Sequence, residues 1–104
     1  MRARYDELLL NGERAVGASD FEAAITHFSK AEELARAAGE IDLADRAFCN
    51  RCSILVELQS GTEQIPKLKE ILLRSTDGRN RFLAAYCTGV AYYVSEDFDR
   101  AQGY

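Results

Sequence analysis

The sequence predicts an all-α fold of antiparallel helical hairpins stacked side by side, and three observations carry that prediction. The set Gly12, Ala15, Phe21 and Ala24 returns 77 positions later as Gly89, Tyr92, Phe98 and Ala101. Cys52, Leu55 and Gly61 mark a weaker middle copy, dividing the interval into steps of 40 and 37 residues, periods of the size that solenoids use. The chain of 104 residues is 47% hydrophobic and holds one proline, which allows a single helical domain with its own core. The periods assign residues 1–39 to a first unit, 40–77 to a degenerate second and 78–104 to an incomplete third.

The first helix is expected over residues 2–17, where Tyr5, Leu8, Leu9 and Val16 recur at helical spacing. Ser19-Asp20-Phe21-Glu22 reads as a capping box, with Ser19 and Glu22 satisfying the free amides of a second helix. That helix should run from Asp20 to Ala38 with Phe21, Ala24, Ile25, Phe28, Ala31, Leu34 and Ala35 on one buried face, and Gly39 should end it as a left-handed cap. A third helix follows from about Asp42 to Gln59, closed by the turn Ser60-Gly61-Thr62. Pro66 fits the first turn of a fourth helix, which buries Ile65, Leu68, Ile71 and Leu72 and stops near Thr76-Asp77-Gly78. The fifth, from about Asn80 to Val94, is the most apolar, and Ser95-Glu96-Asp97 should open a sixth holding Phe98 and Ala101.

These residues resemble the tetratricopeptide repeat family, whose unit is two antiparallel helices with a small residue midway along the first and an aromatic opening the second. Gly12, Phe21, Ala24, Phe28 and Ala31 carry the match in the first copy, and Gly89, Phe98 and Ala101 in the third. In the second, Cys52 is the small residue, while Gly61 and Gln64 replace the usual aromatic and alanine. Arg36-Ala37-Ala38-Gly39 stands where the family has a proline, lengthening the unit as in bacterial regulatory arrays. The resemblance implies about two and a half repeats in a right-handed superhelical array, with Gly12, Cys52 and Gly89 permitting close helix crossings. It also implies a concave groove lined by Leu9, Glu13, Val16, Arg46, Asn50, Ser53, Glu57, Tyr86, Val90 and Tyr93, with Leu10, Cys49, Leu83 and Cys87 beside them. Of the basic and asparagine positions with which some family members grip a terminal carboxylate, only Asn50 matches. The expected partner is therefore a protein or peptide segment with apolar anchors.

Charge and motif content narrow the alternatives. A net charge of −4 is the wrong sign for general attraction to nucleic acid, and Arg74, Arg79 and Arg81 read as a solvated loop cluster. No apolar run approaches a bilayer span and no signal-peptide core follows Met1, so a soluble, cytoplasmic chain with reduced thiols is expected. Cys49 and Cys52 have the spacing of a zinc or redox pair, with Cys87 and His27 as formal further ligands. They fall inside a helix, and buried structural thiols are the reading adopted. Glu32-Glu33 reads as a solvated helix face, and no phosphate loop or placed nucleophile occurs. The sequence therefore implies a noncatalytic interaction scaffold without cofactor. The second reading is a peptide- or ligand-sensing regulatory segment of a larger bacterial signalling or transcription protein. Phe82, Tyr86, Tyr92 and Tyr93 would need covering, by a second copy in a homodimer or by a continuation of the chain.

Overall fold

The computed structural model of the protein describes the backbone of residues 1–58 and 62–101, and the side chains of these except 57, 62 and 94–101. Among the described residues the fold is all-helical and without strands: α1 (Arg2–Gly17), α2 (Phe21–Ala37), α3 (Ile41–Glu57), α4 (Ile65–Arg74) and α5 (Gly78–Ala101), with a 3₁₀ turn Thr62–Gln64 before α4. The chain divides into two compact units, Met1–Arg51 and Cys52–Tyr104. The expected turn at Ser60 and Gly61 lies outside the described residues.

In the first unit α1 and α2 form a helical hairpin. The two helices approach closely at Gly12, where an added Cβ would stand 2.5 Å from a ring carbon of Phe28, so only glycine fits without displacing the ring. α2 buries Ala24, Phe28, Ala31 and Ala35, the three-and-four spacing of one helix face. Tyr5 and Leu8 of α1, Ala31 and Ala35 of α2, and Leu43, Ala44 and Ala47 of α3 close a single core, against which Leu9 and Leu34 pack. The buried Tyr5 hydroxyl donates to the Leu43 carbonyl at 2.7 Å, which keeps a polar tip from being stranded in that core.

The same turn joins α1 to α2 and α2 to α3. At the first, the amides of Ser19 and Asp20 donate to the carbonyls of Val16 and Ala15; at the second, those of Gly39 and Glu40 donate to Arg36 and Ala35. This is the Schellman pattern, which needs a left-handed residue just past the helix. Gly39 supplies it at φ +75 as expected; Ser19 supplies it at φ +60, strained for a residue with a Cβ. Ser19 consequently cannot be the N-cap of α2, and the expected capping box does not form. Asp20 caps instead, its Oδ1 accepting from the Ala23 amide at 3.2 Å, which moves Glu22 one place too early to reciprocate.

In the second unit Pro66 lies in the first turn of α4 as expected. Asp77 Oδ1 accepts from the Asn80 amide at 2.9 Å, an N-cap that starts α5 at Gly78, two residues before the expected position. The Asp77 amide donates to Ser75 Oγ at 3.2 Å, bracing the connection. α5 then runs 24 residues without a break, so no turn forms at Ser95-Glu96-Asp97 and no sixth helix begins there. Those residues favour helix starts only where the chain must turn; with no glycine or proline among them, an existing helix continues. The third copy's Phe98 and Ala101 side chains lie outside the described residues. Gly89 differs from Gly12: a Cβ there would meet nothing within 4 Å, so the expected close crossing at Gly89 is absent.

Candidate interaction surfaces

The expected groove residues fall on three helices. On α1, Leu9 is half-buried against the first core, while Glu13 and Val16 are exposed. On α3, Arg46, Asn50 and Ser53 are half-buried and each has an interaction partner. The Glu57 side chain lies outside the described residues. On α5, Tyr86 and Tyr93 are exposed and Val90 is half-buried. Cys49 and Cys87, placed beside the groove by the sequence, are instead fully buried.

α5 is built in an unusual way for an amphipathic helix. Its buried face carries the small residues Asn80, Ala84, Cys87 and Ala91, while Phe82, Tyr86 and Tyr93 are 69%, 52% and 65% exposed. The buried positions and the aromatic positions share a four-and-three spacing but are offset by about half a turn, so the rings project directly away from the helix's packed side. Tyr92 is separate from this set: Lys69 of α4 stands 5.1 Å from its ring centre, a cation–π contact within the unit.

Two open clefts lie in the first unit. One, of about 450 Å³, is lined by Ser29, Glu32, Glu33, Arg36, Ala37 and Arg51. The sequence suggested a solvated Glu32; the structure buries it to 7% exposure and sets Arg36 at 2.6 Å and Arg51 at 3.0 Å from its two carboxylate oxygens. Arg51 also donates to Ser29 Oγ at 3.0 Å and lies 5.3 Å from the Phe48 ring centre. Both oxygens are thus occupied, and the cluster acts as a tie between α2 and α3 rather than as a base or a vacant anion site. Arg51 is the signal the sequence hid, since nothing in its spacing links it to Glu32.

The second cleft, of about 370 Å³, is lined by Asp20, Glu22, Ala23, Thr26 and His27. Its groups already serve the helix: Asp20 caps it, and Thr26 Oγ1 donates to the Glu22 carbonyl at 3.0 Å. His27 Nδ1 is buried without a hydrogen-bond partner. Cys49, Cys52 and Cys87 are fully buried, and among the described residues no group of three or more His, Cys, Asp or Glu is placed to hold a metal ion. The arginine cluster at residues 74–81 is partly structural: Arg81 donates to the carbonyls of Leu72 and Ser75 at 2.8 and 3.3 Å, satisfying the end of α4. Among the described residues no helix is long and apolar enough to cross a membrane. Comparison of the chain with protein-family models, curated proteins and solved structures finds no match.

Proposed function

We propose that this chain is a noncatalytic protein-interaction module of tetratricopeptide-like type that docks a helical or extended segment with apolar anchors. The observation that carries the reading is the outward display of Phe82, Tyr86 and Tyr93 on a helix whose inner face is built from small residues. Keeping three large rings in water is unfavourable by about 25 cal/mol per Å² of apolar surface, and aromatic anchors of this kind dominate interface energetics. Hairpin packing at Gly12 and Phe28 supports the repeat-like architecture. The docking surface proposed is therefore weighted towards α5, with Tyr86, Val90 and Tyr93 as the contact residues retained from the expected groove. Self-association through this helix is one form the docking can take.

The test is capture from an extract of the source cells on the immobilised chain. Wild type should retain a defined partner, and the double variant Tyr86→Ser, Tyr93→Ser should lose it while keeping its helical circular dichroism. Retention of the same partner by the double variant would contradict the reading.

A further inference from the structure

The exposed stripe on α5 is self-complementary. Positions 82, 86, 89 and 93 have the four-three-four spacing of a heptad seam, and they are symmetric about the midpoint between residues 87 and 88. Two copies of α5 laid antiparallel about that point set Phe82 against Tyr93 and Tyr86 against Gly89. The second pairing matches a ring to a gap, because the space over the Gly89 Cα is open to 4 Å. In the same register position 79 meets position 96. A parallel arrangement would instead oppose Tyr86 to itself and Gly89 to itself, losing the match of ring to gap.

We propose that the outer face of α5 pairs antiparallel with the same face of a second copy of the chain, Tyr86 of each copy seated over Gly89 of the other. This commits the docking face of the preceding section to one occupant and rests on that reading. The seam from position 79 to 96 is about 25 Å long. At about 200 Å² per aromatic side chain, the exposed fractions of the three rings in two copies amount to about 700 Å², before flanking residues are added. Such an area belongs to the small, reversible class of interface, with dissociation constants of tens of micromolar rather than an obligate dimer.

Sedimentation equilibrium of the full chain from about 5 to about 300 µM tests it, spanning the expected dissociation constant. Wild type should convert from monomer to dimer over that range. Gly89→Leu, whose Cβ meets nothing within 4 Å, should weaken the dimer by about tenfold or more with unchanged helical signal. A monomer throughout, or a dimer indifferent to Gly89→Leu, would overturn the pairing. A monomer that still captures another protein through Tyr86 and Tyr93 would overturn the second copy as occupant while leaving the docking face in place. A monomer that captures nothing would remove both.

Discussion

Two glycines in helix interiors should respond to the same substitution with opposite signs. Alanine exceeds glycine in helix propensity by about 1 kcal/mol, so Gly→Ala in an open helix stabilises. Gly89 is such a site, with nothing within 4 Å of an added Cβ, and Gly89→Ala should stabilise by up to about 1 kcal/mol. At Gly12 the added carbon would lie 2.5 Å from Phe28 Cε1 and 2.8 Å from Cδ1 and Cζ. Carbon contacts prefer about 3.5 to 4.0 Å, so the ring must retreat by about an ångström. Phe28 is 3% exposed and has no free volume to enter without disturbing the core. Overpacking of this kind costs about 1 to 3 kcal/mol against a propensity gain of about 1 kcal/mol, so Gly12→Ala should be destabilised by up to about 2 kcal/mol.

Thermal denaturation followed by circular dichroism at low micromolar concentration reads both variants beside wild type. In a chain of this size 1 kcal/mol moves the melting temperature by about 4 to 8 °C, so the two variants should separate clearly. The double variant Gly12→Ala, Phe28→Leu should regain part of the loss through a coupling that independent sites do not show. Stabilisation by Gly12→Ala equal to that by Gly89→Ala would refute the close approach of α1 and α2.

Other substitutions probe the remaining structural assignments. Ser19→Gly relieves a left-handed conformation worth about 1 to 2 kcal/mol against glycine's larger unfolded-state entropy, and should raise stability by about 0.5 to 1 kcal/mol in the same denaturation assay. Glu32→Ala removes the carboxylate partner of the largely buried Arg51 and should cost about 2 kcal/mol, whereas Arg36→Ala, removing a partner that is 44% exposed, should cost under about 1 kcal/mol; equal losses would contradict the tie described. Tyr5→Phe deletes the hydroxyl that reaches Leu43 and should lower stability by about 1 kcal/mol in thermal melts.

Much of the helical framework was legible because its signals are local. Periodic apolar residues located all five helices, Gly39 announced its own left-handed cap, and Pro66 marked a first turn. Ser19 was misread because serine at a turn is usually a cap, and only the hydrogen bonds of the preceding helix show that this one ends α1 instead. A signal did exist: Ala18-Ser19-Asp20 and Ala38-Gly39-Glu40 are two forms of one turn, 20 residues apart. Gly89 matched Gly12 by repeat spacing, yet its surroundings are set by tertiary placement, which spacing cannot reveal. Glu32 looked like any surface glutamate because its partner Arg51 lies on another helix. At the surface, helical register sufficed to expect Tyr86 and Tyr93 on an open face of α5, whereas the half-burial of Arg46, Asn50 and Ser53 depends on neighbours that register does not reveal.

Hydroxyl-radical footprinting of the chain, free at low micromolar concentration and again in association, bears most directly on the central claim that α5 presents the docking face. Oxidation of Phe82, Tyr86 and Tyr93 should be strong in the free chain and should fall in the associated state, while Leu10 and Val16 on α1 remain reactive. Protection confined to α1, or rings of α5 that stay reactive in the associated state, would contradict it.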